Sequence, residues 1–289
     1  MRRLLTPLLL TLSTLISACS PVGLLNAITP TDTYRKTTAI AYGSDPRQQL
    51  DIYTPTVKKP GPTPVVLFFY GGSWNSGERN DYRFVGEALA SQGYVAVIAD
   101  YRLYPQVRYP DFLKDGAHAF AWVRQHISEY GGAPEHLFLM GHSAGAYNAA
   151  MLVLDPRLLG EVGLDASSIR GWIGLAGPYD FLPIENPDVR PVFFHPNSPP
   201  DSQPINHVRA HTPPALLLAA RDDDLVNPQR NTGGLAQRLR AVGVPVSEHY
   251  YDNVSHITLV AALSRPLRYK ATALEEISKF IDSDGGRTP

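Results

Sequence analysis

Thiol chemistry is almost missing from this sequence. One cysteine, Cys19, among 289 residues leaves no partner for an intrachain disulfide. An excess of either charge is missing too. With 26 Lys and Arg against 27 Asp and Glu, the net charge is -1 and no basic block stands out. A nucleic-acid role would therefore lack the electrostatic attraction that dominates such binding. The apolar stretch 4–16 falls short of the roughly 20 residues that a membrane-spanning helix needs. Internal repeats and low-complexity tracts are absent. What is present, a 44% hydrophobic content over this length, describes one large globular domain with a sizeable core.

The first segment reads as a targeting signal rather than as fold. Arg2 and Arg3 precede the apolar stretch, which ends in small residues as an export signal does. Ile16-Ser17-Ala18-Cys19 resembles the lipobox of bacterial lipoproteins. That resemblance implies a signal peptide over 1–18, lipidation of Cys19, a tether over 19–32 and a membrane-anchored position in the cell envelope. An ordinary cleaved signal is the alternative.

From 33 to 289 the pattern is that of a single domain. The runs VVLFFY (65–70), YVAVIAD (94–100), LFLMG (137–141), WIGLAG (172–177) and ALLLAA (215–220) are near-continuously apolar, as strands buried on both faces must be. Segments 82–91, 113–126, 144–154 and 228–242 carry apolar residues at helical spacing, so the alternation is βαβα and the sheet mostly parallel. TTAIAYG and QQLDIYT flank a 43–47 turn and predict an antiparallel pair at one edge. Residues 180–214, rich in Pro, Asn and Asp with scattered aromatics, break the rhythm and are expected to form an ordered, lid-like insertion.

The stretch GHSAGAYNAA (141–150) sets Ser143 between two glycines where a strand hands over to a helix. That arrangement forces a serine onto a tight turn with its hydroxyl exposed, and Gly141 and Gly145 remove side chains that would clash there. Ala144 then offers a backbone N–H at a helix N-terminus, where dipole and unpaired donors favour an oxyanion. YGGSWNSG (70–77), directly after an earlier strand, is the expected second donor loop, with Gly71, Gly72 and Ser73 beside the substrate oxygen.

An orienting acid and a base should lie downstream. RDDDLVN (221–227) follows a strand and precedes a helix. Asp223 is favoured by position, since Asp222 leaves the strand too early and Asp224 adjoins Leu225 and Val226, which should anchor the loop. Of nine histidines, His118 and His126 fall within a helix, His249 within a strand, and His142 on the serine turn. His256 sits on a turn late enough to complete the order Ser, Asp, His.

With these pieces in place, FFYGGSWNSG, DYRLYP (100–105), GHSAG, RDDDLVN and VSHITLV resemble, in order, the motifs of the α/β-hydrolase superfamily. The resemblance is to its esterase group, which includes hormone-sensitive-lipase-like enzymes, isoprenylcysteine methylesterase-like enzymes and kynurenine formamidases. It implies an α/β fold with a mostly parallel twisted sheet of about eight strands flanked by helices, the insertion following the sixth. It implies a carboxylesterase with Ser143, Asp223 and His256 as catalytic residues, and neither metal nor organic cofactor. Small or aromatic esters are the expected substrates, with Trp74, Tyr179, Phe181, Phe193 and Phe194 lining the pocket. An amidase or arylformamidase would use the same three residues, and a non-catalytic envelope protein could keep the fold for binding. Two positions depart from the family pattern: Tyr70 stands where a histidine is usual, and Ser73 replaces the third glycine. Asp100 and Arg102 are expected to be structural, tying a strand end to neighbouring loops.

Overall fold

The structure, a computed structural model, describes residues 21–286. The expected signal segment 1–18 and Cys19 lie outside the described residues. Residues 21–32, expected within the tether, include a short helix, α1 (Pro21–Ala27). It docks on the domain: Asn26 donates to the carbonyls of Asn80 and Asp81 at 2.8 and 3.1 Å. The carboxamide of Asn26 also accepts from the amide of Phe84.

Next come β1 (Tyr34–Ala41), β2 (Gln49–Pro55), β3 (Val65–Phe69), α2 (Arg83–Ser91), β4 (Val95–Ala99) and α3 (Asp111–His126). They are followed by β5 (Leu137–His142), α4 (Ala144–Leu154), α5 (Pro156–Gly160), β6 (Gly171–Leu175) and β7 (Ala215–Ala220). The chain closes with α6 (Gly234–Ala241), β8 (Val246–Tyr251), α7 (His256–Ala261) and α8 (Ala273–Asp282). Eight strands form one sheet in the order β1-β2-β4-β3-β5-β6-β7-β8. β1 and β2 are antiparallel at one edge and the rest run parallel from β4 onward, as the sequence pattern predicts.

Every residue of β3, β4, β5, β6 and β7 is buried. Because strand side chains alternate between faces, this requires cover on both sides, and it explains why these runs are apolar throughout rather than alternating. β8 is only half-buried, as an edge strand should be, and its sequence VSEHYY is accordingly mixed.

Topology fixes where chemistry can gather. β3 and β5 are neighbours with Phe69 opposite Gly141, so the loops leaving both strands emerge side by side at the carboxyl end of the sheet.

The insertion after β6 is not a free flap. Tyr147 donates to the carbonyl of Ser202 at 2.7 Å, Tyr109 to that of Asp201 at 3.0 Å, and Arg157 pairs with the Asp201 carboxylate at 3.1 Å. The side chain of Asn231 accepts the amides of Tyr179 and Asp180 at 2.6 and 2.8 Å. Segment 180–214 is thereby fastened to α4 and to the turn before α6, and forms a wall.

Candidate active site

Ser143 bridges β5 and α4 with φ 54° and ψ -122°, a strained conformation for a side-chain-bearing residue. Packing enforces it. A Cβ on Gly145 would lie 2.0 Å from the Phe69 carbonyl oxygen, and one on Gly141 would lie 2.1 Å from that of Gly145. The amide of Ser143 donates to Leu175 on β6 at 2.8 Å, so the turn is bonded to β6 on one flank and packed against the end of β3 on the other.

His256 opens α7, capped by Ser255, whose hydroxyl accepts from the amide of Thr258. Its Nε2 is 2.8 Å from Ser143 Oγ and its Nδ1 is 2.8 Å from Asp223 Oδ2. A carboxylate only accepts, so Nδ1 carries the proton and Nε2 presents its lone pair to the serine hydroxyl. The other Asp223 oxygen accepts the amides of Leu225 and Val226, each at 2.9 Å. This local turn swings the middle aspartate inward while Asp222 and Asp224 remain exposed. Burial by itself would raise the Asp223 carboxyl. The hydrogen bond and charge of His256, with the two amides, outweigh it and hold the group below the usual carboxylate range. Leu225 does not anchor this loop as expected: it is 64% exposed, because the amides already fix the turn.

The loop after β3 carries three consecutive residues with positive φ, Gly72 at 135°, Ser73 at 51° and Trp74 at 58°. Gly71 abuts the serine turn, since a Cβ there would lie 2.9 Å from Ser143 Cβ. A cavity of about 320 Å³ opens over these groups, lined by Ser143, His256, Ala144, Ser73, Trp74 and Phe181. Gly71 and Gly72 stand behind that lining. Ala144 begins α4, so its N–H has no preceding helical carbonyl to bond and is available to the cavity.

Three pocket assignments need correction. Tyr179 is fully buried, with its ring over Gly174 and Gly177, because its backbone is turned inward by Asn231. Phe193 is also fully buried, in an aromatic nest with Trp74, Phe112, Tyr147 and Phe181. Phe194 takes a left-handed conformation that turns its ring outward under Arg108. Trp74 and Phe181 do reach the cavity, stacked at 6.1 Å.

Supporting groups come from distant sequence. Tyr70, in the place of the usual histidine, donates to Asp100 at 2.8 Å and accepts from Arg47 at 2.7 Å. Arg47 also reaches the Gly77 carbonyl at 2.9 Å, so the edge hairpin braces the loop from behind. Asp100 pairs with Arg79, and Arg102 with Asp115 at 2.7 Å. Both are structural as expected, but with partners on other segments. His142 lies beneath His256, its Nε2–H donating to the His256 carbonyl at 2.9 Å. Burial first, then the charge of His256, pushes His142 down to about 3. Nothing in the one-dimensional pattern marks Arg47. Asn148, a lone carboxamide in the otherwise apolar run of α4, did carry a signal.

No group of His, Cys, Asp and Glu suited to a metal occurs among the described residues.

The sequence pattern of the BD-FAE family matches residues 50–239. Over 252 residues the chain is 31% identical to the probable isoprenylcysteine alpha-carbonyl methylesterase ICMEL1 of Arabidopsis thaliana, covering 80% of this chain and 52% of that protein. It is 30% identical to the probable carboxylic ester hydrolase LipM of Mycobacterium tuberculosis, covering 74% and 56% respectively. The chain thus spans little more than half the length of these relatives. Among solved structures, esterase 2 of Thermogutta terrifontis superposes with a TM-score of 0.70 at 25% identity, over 90% of this chain and 98% of that one. The fold is the α/β-hydrolase fold.

Proposed function

The chain belongs to the BD-FAE family, and from that premise we propose that it is a serine hydrolase of carboxylic esters. The observation that carries this reading is the run of hydrogen bonds from Asp223 through His256 to Ser143, each ring nitrogen 2.8 Å from its partner, at the floor of a cavity. His256 takes the proton of Ser143 as the hydroxyl oxygen attacks the substrate carbonyl. Asp223 holds the imidazole in its tautomer and stabilises it once charged. The negative charge on the carbonyl oxygen is met by the amides of Ser73 and Ala144, with Gly72 next to them. The tetrahedral adduct collapses, His256 returns the proton to the departing alcohol, and water repeats the attack on the acyl-enzyme.

Small or aromatic acyl groups suit the site. A volume near 320 Å³ is at the low end for ligand cavities, and the partly buried Phe181 ring, backed by the buried Trp74 indole, offers an apolar wall. Cys19, in its lipobox-like context, is proposed as the lipid anchor holding the enzyme to the cell envelope. Metabolic labelling with an alkynyl fatty acid, lost in Cys19→Ala, tests that part.

The decisive experiment is labelling by a fluorophosphonate, followed by a panel of nitrophenyl esters of rising chain length beside aryl amides and N-formyl amines. Labelling lost in Ser143→Ala and a preference for short or aromatic esters are expected. Amides turned over faster than esters would reassign the reaction, and an unlabelled wild type would make the chain a binding protein.

A further inference from the structure

The donors for the oxyanion come from two separate pieces of chain, the loop after β3 and the first turn of α4, and their spacing needs a cause. Ser73 and Trp74 both hold positive φ, a conformation that persists only where surrounding contacts over-determine it. Aromatic packing on Trp74 supplies part of this, with Tyr147 and Phe193 edge-on at 5.0 and 4.8 Å. Ring contacts restrain tilt, but they tolerate sliding and rotation within the ring plane.

The Tyr104 amide holds the Trp74 carbonyl at 2.8 Å, and one directional side-chain bond removes the freedom left to the ring. The Trp74 indole Nε1–H donates to Asn148 Oδ1 at 3.0 Å, and the two residues are only 2% and 1% exposed. Asn148 stands one helical turn after Ala144 on the same face of α4. Helical side chains lean toward the N-terminus, so its carboxamide projects back toward the end that carries the Ala144 amide. The Asn148 Nδ2 group is buried and has no hydrogen-bond partner among the described residues. Burying a carboxamide with one end unsatisfied is costly, so its oxygen has a use that an apolar residue could not fill.

We infer that Asn148 is a positioning residue which, through Trp74, fixes the distance between the Ser73 and Ala144 amides. This rests on the proposed acyl transfer at Ser143. Because donors must meet the developing oxyanion to within a few tenths of an ångström, a slipped loop costs turnover more than substrate affinity.

The test compares wild type, Asn148→Leu, Trp74→Phe, the double variant and Asn148→Asp. The assay is hydrolysis of nitrophenyl acetate, with active sites counted by fluorophosphonate titration. In Asn148→Leu and Trp74→Phe, kcat per titrated site is expected to fall about tenfold, with KM within about twofold and phosphonylation slowed in parallel. The double variant should be no worse than either single one, since both remove the same bond. Asn148→Asp keeps an acceptor and should recover most of kcat per site even where the buried charge lowers the melting temperature. Unchanged kcat per site in both single variants, or losses that multiply in the double variant, would overturn the inference. Should Asn148→Leu not fold, Trp74→Phe with normal kcat does so alone. A wild type that neither labels nor hydrolyses would instead strike the functional reading beneath it.

Discussion

His142 gives the sharpest consequence of the site for stability. It is 4% exposed, its Nε2–H is committed to the His256 carbonyl, and its Nδ1 has no partner among the described residues. Burial, reinforced by His256, lowers it from 6.5 to about 3. The folded protein therefore keeps this ring neutral at pH 5, whereas the unfolded chain protonates it. Protons bound preferentially by the unfolded state make stability rise with pH. The contribution of the neutral ring is complete above about 6.5 and is lost progressively as pH falls toward 3. At pH 5 the unfolded group lies 1.5 units above ambient pH, which at about 1.4 kcal/mol per unit gives a loss of ~2 kcal/mol relative to neutral pH. His142→Gln keeps an N–H donor for the His256 carbonyl and cannot titrate. Urea unfolding of both proteins at about pH 7.5 and pH 5, followed by tryptophan fluorescence, isolates the effect because all other titrating groups are shared. Wild type should lose ~2 kcal/mol more than the variant between the two conditions. Equal losses would show that the ring is already protonated in the folded state, and the argument from burial would fail.

Three further outcomes follow from the same geometry. Asp223→Asn leaves the fold intact but removes the charge that orients and stabilises the imidazole, so kcat on nitrophenyl acetate should drop by about 10³-fold or more. Phe193→Ala empties the centre of the aromatic nest behind the cavity; a loss of ~3–5 kcal/mol is expected, read as a melting temperature lower by roughly 10 °C. Gly145→Ala drives a methyl group to 2.0 Å from the Phe69 carbonyl oxygen, backbone that cannot yield without parting β3 from the serine turn. Its soluble yield should collapse, and a well-folded, active variant would contradict the packing described.

Much of the candidate site was legible because the turns that shape it are local. Ser143 needs a strand, a glycine on each side and a helix, all contiguous in the chain. Asp223 is picked from three adjacent aspartates by a turn that closes within three residues. The order Ser143, Asp223, His256 follows from the order of the strands they leave. The pocket was less legible for the opposite reason. Phe181, Phe193 and Phe194 look alike in composition, yet one faces the cavity, one the core and one solvent. An irregular segment has no period from which facing can be deduced: Phe181 is held by bonds of its backbone and its neighbour's to Gln203 and Asn231, Phe193 by ring contacts with Trp74, Phe112 and Tyr147, and Phe194 by its left-handed backbone.

By itself the sequence determined the strand and helix alternation, the buried parallel sheet, and the local settings of Ser143, Asp223 and His256, since hydrophobic periodicity and turn chemistry act over a few residues. Only the tertiary structure decided that Arg47 of the edge hairpin braces Tyr70 and that His142 underlies His256. It also decided that Asn148 binds the indole of Trp74, and that the insertion is a fastened wall. Those contacts join segments tens of residues apart, and their partners are selected by where strand order brings side chains together, a quantity no local pattern encodes.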